Sequence, residues 1–71
     1  MQFYFSRHAK HQMKWRNISQ REIENVIAVP DIVIDSVKGR KNARRKIGNK
    51  LLQVTFKVET ERIVIVTVIE K

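Results

Sequence analysis

ISQREIENVIAVP, residues 18–30, contains both the start and the end of a helix. The Ser19 hydroxyl can accept a hydrogen bond from the Glu22 amide, and the Glu22 carboxylate can accept one from the Ser19 amide; this is the capping-box pattern. Pro30 ends the helix, because the residue before a proline is driven toward extended geometry. The segment therefore predicts a helix that begins after Ser19 and ends before Pro30.

A first helix is predicted on the N-terminal side of this one. Ser6 can cap a helix that runs to about Arg16, in a stretch without glycine or proline. Phe5, Ala9 and Met13 recur every four residues and form a narrow apolar stripe. The basic residues Arg7, Lys10, Lys14 and Arg16 lie mostly off that stripe. We therefore expect this helix to present a positively charged face to water.

From Ile32 onward the hydrophobic period changes from helical to strand-like. We predict four strands, over residues 32–37, 42–47, 52–59 and 62–69, with turn signals at Lys38-Gly39-Arg40, Gly48-Asn49 and Thr60-Glu61. Connections this short place sequential strands side by side. The sequence thus predicts an α+β fold in which two N-terminal helices pack on one face of a four-stranded antiparallel meander, and residues 3–5 are a candidate for one short extra strand.

Length and composition narrow the class of protein. The 71 residues are enough for one domain over residues 1–71, and the absence of cysteine excludes disulfides and thiolate chemistry. No apolar run approaches the roughly 18 residues of a membrane span, and the N-terminus does not have the pattern of a signal peptide, so we expect a cytoplasmic protein without membrane contact. Fifteen Lys and Arg against seven Asp and Glu give a net charge of +8, which attracts polyanions or acidic proteins.

The positive charge is concentrated in residues 38–50, which contain seven basic side chains and no acidic one. If the apolar side chains of the third predicted strand face the helices, Arg44 and Lys46 lie near Lys57 on the sheet face that the helices leave uncovered. The predicted nucleic-acid-binding residues are Lys38, Arg40, Lys41, Arg44, Arg45, Lys46, Lys50 and Lys57. The alternative interpretation is a solvated basic loop with no ligand.

The fourth predicted strand carries apolar side chains in both phases. Val64, Val66 and Val68 can point inward, which leaves Ile63, Ile65 and Ile69 on the other face. Those three isoleucines are predicted to bind a partner chain, since contiguous exposed apolar surface often marks an interface. Cover by the N-terminal segment is the alternative.

Few residues suggest a catalytic or metal-binding role. His8 and His11 stand three apart beside Trp15, a spacing compatible with acid–base work in RNA cleavage, with metal binding, or with plain surface histidines. No third ligand stands nearby, so we expect neither a metal nor a cofactor. Hydrolase, kinase and dehydrogenase motifs are absent from the sequence. Trp15 and Tyr4 can stack on bases, although such aromatic residues more often belong to the core.

Several segments together resemble a short domain family of unknown function that is grouped with the RelE/ParE-like toxins of bacterial toxin–antitoxin pairs. They are Ser6-Arg7-His8-Ala9, Ile18-Ser19 with Glu22, the helix exit from Val26 to Pro30, the basic second strand, and Val64-x-Val66-Thr67. The resemblance covers nearly the whole chain. It implies a helical hairpin packed on an antiparallel sheet.

The same resemblance implies a function. RelE-like members are metal-independent endoribonucleases that cleave messenger RNA, usually on the ribosome, and are neutralised by an acidic antitoxin. By position Arg44, Lys46 and Lys57 match the basic side chains on the open sheet face of these proteins, with Arg45 replacing Arg44 if the strand phase slips by one residue, and His8 matches the family's histidine. The residues predicted for catalysis are His8, Arg44 and Lys46. ParE-like members act on gyrase instead, so the resemblance leaves RNA and protein targets open. A binding module without catalysis, or a purely structural domain, are the alternative predictions.

Overall fold

The computed structural model describes residues 2–71, which form two helices and a five-stranded sheet. In chain order the elements are β1 (Gln2–Phe5), α1 (Arg7–Arg16), α2 (Gln20–Ala28), β2 (Ile32–Asp35), a 3-10 turn (Val37–Gly39), β3 (Lys41–Ile47), β4 (Lys50–Val58) and β5 (Arg62–Glu70). The predicted α+β class with two N-terminal helices is confirmed. Within residues 2–71, no helix has the length and apolar character needed to cross a membrane.

The sheet has the strand order β1-β5-β4-β3-β2. Strands β2 to β5 pair in an antiparallel manner with their sequence neighbours, as the predicted meander requires. The candidate N-terminal strand also forms, and it pairs in parallel with β5, from Gln2 opposite Arg62 to Phe5 opposite Ile65. The sheet is therefore mixed and has five strands.

Both helices begin at the serines that the sequence indicates. The Ser6 hydroxyl accepts a hydrogen bond from the Ala9 amide at 3.0 Å. Ser19 and Glu22 form both hydrogen bonds of the capping box, at 2.9 and 3.1 Å. Asn17 closes α1 in the left-handed conformation, with φ of 56°. The connection places α1 against β5 and α2 against β3 and β4.

The core lies between the helices and one face of the sheet. The helices contribute Ala9, Ile23 and Val26, which are fully buried. The sheet contributes Phe5, Ala43, Leu52, Val54, Phe56, Ile65 and Val68. Since side chains alternate along a strand, the residues between these ones point to the other face, which neither helix covers. We call that surface the open face.

A β-bulge changes which side chains of β5 point inward. Thr55 of β4 lies opposite Thr67, but the next residue, Phe56, lies opposite Ile65, so Val66 is an extra residue. The bulge reverses the phase, and Ile65 is fully buried beneath the helices. The predicted partner-binding orientation was therefore wrong for Ile65.

Two other isoleucines were assigned to the same exposed face, and they lie apart. Ile63 packs against the core cluster, so its predicted orientation was also wrong. Ile69 lies opposite Gln53, on the open face and beyond the bulge. The three isoleucines consequently form no common surface.

Strand β5 is an interior strand whose second side is covered. Beyond the end of β1, the Ile65 carbonyl accepts from the Ser6 amide at 3.0 Å, and the Val66 carbonyl accepts from the Ser6 hydroxyl at 3.0 Å. The Val68 amide donates to Oε1 of Gln12 at 2.8 Å. Ser6, the N-cap of α1, and Gln12 within α1 thus satisfy backbone groups of β5 that β1 is too short to reach. The edge strands of the sheet are β1 and β2.

Candidate nucleic-acid interface

The open face carries two rows of cross-strand neighbours. In one row Ile32, Arg44, Gln53 and Ile69 follow each other from β2 to β5. In the next row the order is Ile34, Asn42, Thr55 and Thr67. Polar side chains fill the middle of both rows, with apolar ones at both ends of the first row and at the β2 end of the second. The described strands place no carboxylate on this face, because Asp35 and Glu70 share the phase of the core residues.

Arg44 is held in one orientation by its neighbour on β4. Its Nε donates a hydrogen bond to Oε1 of Gln53 at 2.5 Å. Gln53 is only 8% exposed although it lies on the open face, so its side chain is itself confined. Within residues 2–71, the two terminal nitrogens of Arg44 make no hydrogen bond. They form a free donor fork of fixed direction, which suits a phosphate or carboxylate.

Lys46 follows Arg44 on the same face of β3, about 7 Å further along the strand. Its backbone amide donates to Oδ2 of Asp31 at 3.0 Å, which fixes the strand at this point. No hydrogen bond or ion pair engages its ammonium group within the described chain. Arg44 and Lys46 therefore present two adjacent cations, as the strand phase predicts.

Lys57 shares the open face but lies at its other end. It stands opposite Val64, four residues along β4 from Gln53, which is about 13 Å. Near this end Arg62 lies 4.8 Å from the centre of the Tyr4 ring. The Nε of Arg62 donates a hydrogen bond to Oε1 of Glu59 at 2.7 Å, and this bond lowers the pKa of Glu59. Lys57 thus faces the predicted side without joining Arg44 and Lys46 in one cluster.

Arg45 points to the opposite side and has a structural role. Its Nη1 donates to the backbone oxygens of Asn25 and Val29 at 3.4 and 3.2 Å, at the C-terminal end of α2. Helix α2 has no basic residue in its own last turn. Arg45 therefore supplies the positive charge that helix C-termini favour.

The other predicted nucleic-acid-binding cations are also dispersed. Lys41 forms an ion pair with Asp35 at 3.0 Å, on the helix side of the sheet. The pKa of the Glu22 carboxyl is lowered chiefly by the hydrogen bond from the Ser19 amide, and to a smaller extent by the charge of Lys50, which stands opposite Ile47. Lys38 and Arg40 belong to the exposed connection between β2 and β3. The single basic surface predicted from residues 38–50 is divided by the sheet.

The three residues predicted for catalysis do not lie close to one another. His8 is exposed on α1, in the helical layer, whereas Arg44 and Lys46 lie on the face that this layer leaves uncovered. The sheet separates the imidazole from both cations. The positions that the resemblance implies for catalysis therefore do not converge on one phosphate, and within residues 2–71 no three His, Asp or Glu side chains form a metal-binding group.

Two features of the structure, one contact and one exposed side chain, are not among the predictions from sequence. The contact between Gln53 and Arg44 depends on strand register, which the sequence alone does not give. Trp15 is 84% exposed and not part of the core. The signal for this was present, because Trp15 stands two residues after the core-facing Met13, which is about 200° around a helix.

Comparison with known proteins gives a family and no closer relative. Among curated proteins and among solved structures, no match to this chain was found. One family model, described as a domain of unknown function, matches residues 5–70, which include both helices and nearly the whole sheet. The chain therefore belongs to the family of domains of unknown function DUF4258.

Proposed function

We propose that this chain binds RNA through Arg44 and Lys46 on the open face. The +8 charge draws a polyanion to the surface, and no carboxylate of the described strands lies on this face, where the nearest carboxylates are Asp31 at the Lys46 amide and Glu59 at Arg62. A flat sheet does not enter the major groove as a helix does, whereas exposed sheet faces are a common platform for single-stranded RNA. The resemblance to RelE-like toxins also supports RNA as the ligand.

The fixed guanidinium of Arg44 is the observation that carries this proposal. Ordering a long side chain at an interface costs about 0.5–1.5 kcal/mol, and the bond to Gln53 removes much of that cost before the ligand arrives. The free fork can then donate two parallel hydrogen bonds to one phosphate. Lys46, about 7 Å away, can neutralise the next one.

Binding is proposed in place of cleavage because of the position of His8. General acid–base catalysis needs a proton acceptor within hydrogen-bond reach of the reacting group. His8 lies on the other side of the sheet from Arg44. Cleaved product in the binding assay would show that another group provides the proton transfer.

The proposal is tested by two double variants that remove the same charge from opposite sides. Arg44→Ala with Lys46→Ala removes the open-face cations, and Lys41→Ala with Lys50→Ala is the control. With a labelled single-stranded RNA, the first variant is expected to bind at least tenfold more weakly. Its log–log salt slope should fall by about 1.4, since each lost phosphate contact contributes about 0.7. Equal weakening in the control would refute a specific site.

Gln53→Leu tests the fixed orientation without changing the charge. Leucine fits a mostly buried position, and the Arg44 guanidinium remains able to hydrogen-bond to water. We expect RNA affinity to fall by about two- to tenfold, the equivalent of ordering one side chain. Unchanged affinity would mean that the contact with Gln53 has no part in binding.

The edge strand β2 favours a second candidate, an acidic protein partner. Ile32, Val33 and Ile34 are 50, 43 and 39% exposed, which is unusual for three consecutive aliphatic residues. The Ser36 amide donates to the Arg40 carbonyl at 2.8 Å, so by alternation the backbone groups of Val33 point away from β3. An extended segment of another chain can pair with these free groups. Repulsion between two +8 chains favours an acidic segment over a second copy.

Proline tests this second candidate. Val33→Pro removes an outward backbone donor, a change that edge strands tolerate, whereas Val33→Thr keeps the donor and a similar shape. A synthetic peptide of alternating Val and Glu is expected to bind the threonine variant and not the proline variant. Equal binding to both would exclude strand addition at β2.

A further inference from the structure

We infer that the outer face of α1 is a second nucleic-acid contact, at which an unpaired base stacks on Trp15. Helix α1 packs its Ala9 side against the core, and Trp15 lies on the other side with 84% of its surface exposed. The fold does not use this indole. The site lies in the helical layer, away from the open face, so the inference is independent of Arg44 and Lys46.

The surroundings of Trp15 are cationic. A shallow groove is lined by Lys10, His11, Lys14 and Trp15 itself. Helix α1 contains no acidic residue, and neither ion pair of the described chain involves it. The Arg16 guanidinium lies 5.8 Å from the centre of the indole ring, which leaves most of the ring accessible. An aromatic ring beside free ammonium groups is the arrangement that single-stranded nucleic acids use, with bases on the ring and phosphates on the cations.

The composition of this face argues against a membrane. Lipid-surface helices bury a broad apolar face containing several large side chains. On α1 the side chain of Trp15 is the only large apolar group that is exposed, and Met13 packs against the core. One ring is too little for stable insertion but is enough for one base.

Trp15 is the only tryptophan in the chain, so its fluorescence reports directly on this site. Titration with oligoadenylate is expected to quench the emission, because a stacked base contacts the ring. Inorganic polyphosphate, which has the charge without bases, should bind the cations and leave most of the emission unchanged. Equal quenching by both would overturn the inference, as would a blue shift with anionic phosphatidylserine vesicles in the absence of quenching by RNA.

Variants distinguish this site from the sheet. In the Arg44→Ala and Lys46→Ala background, which lacks the sheet site, Trp15→Leu is expected to weaken binding of labelled oligoadenylate by about five- to 150-fold, the range for loss of one base stack, and Trp15→Phe by less. Lys14→Ala should weaken it more than Arg21→Ala, which removes an equal charge from α2. In the Arg44→Ala and Lys46→Ala protein, oligoadenylate should still quench Trp15, with an affinity lowered only as far as the drop in net charge from +8 to +6 requires. Loss of quenching in that protein would mean that Trp15 has no site of its own, whereas unchanged binding by Trp15→Leu would exclude stacking and leave the sheet site unaffected.

Discussion

Replacing Arg45 by methionine should destabilise the fold while replacing its neighbours on the open face should not. Methionine keeps most of the apolar stem of arginine but removes both hydrogen bonds to the Asn25 and Val29 carbonyls. Bonds from a charged donor contribute about 1.5–3 kcal/mol when well formed, and a cation at a helix C-terminus about 0.3–1 kcal/mol. Here the contacts are exposed and the distances long, at 3.4 and 3.2 Å, so we expect less than those well-formed values, about 1 kcal/mol in total.

That loss is large for this domain. A chain of this size has a stability of roughly 3–5 kcal/mol, and 1 kcal/mol corresponds to a melting temperature lower by about 4–8 °C. Lys46→Met is the control, because it removes the same charge from an exposed side chain without a partner in the described chain. Thermal and urea unfolding followed by circular dichroism measure both variants. If the two melt within about 1 °C of each other, Arg45 does not stabilise α2.

Three further predictions concern the fold. The hydrogen bond from the Ser19 amide lowers the pKa of Glu22. The stability that this carboxylate contributes is therefore present above the ordinary glutamate pKa and is lost as the pH falls through the lowered value. The urea midpoint should consequently drop more below about pH 4 in the parent protein than in Glu22→Gln. Ser19→Ala should cost about 1 kcal/mol at neutral pH in the same assay, and no change would contradict the observed cap. Ile65→Val should cost about 0.5–1.5 kcal/mol and Ile69→Val less than about 0.5 kcal/mol, and the reverse order would place the bulge elsewhere.

The elements that sequence reasoning predicted well depend on local signals. The capping box of Ser19 and Glu22 involves residues three apart, so it forms with few other contacts. The phases of β3 and β4 follow from simple alternation, and Arg44 and Lys46 consequently lie on the predicted face. In each case the deciding interactions are close in sequence.

The errors come from contacts between distant segments. Uninterrupted alternation along β5 predicts that Ile65 points outward. The bulge at Val66 reverses this, and it depends on the pairing of β5 with β4 and on the hydrogen bond from Ser6 to the Val66 carbonyl. The resemblance to RelE-like proteins implied that His8 and Arg44 act at one site. Their separation follows from the packing of the helices on the opposite face of the sheet. Neither relation has a signature within one segment.

The separation of cations from proton acceptors bears on the choice between binding and cleavage, should RNA bind at Arg44 as proposed. Arg44 can bind a phosphate through its free fork, and Lys46 while charged has no lone pair with which to accept a proton. The open face of residues 2–71 carries neither a histidine nor a strand carboxylate, and Tyr4 lies toward its other end, near Arg62. A cleavage reaction needs an acceptor and a donor at the phosphate that is held. A fixed guanidinium without such a neighbour favours binding the phosphate over breaking its ester bond.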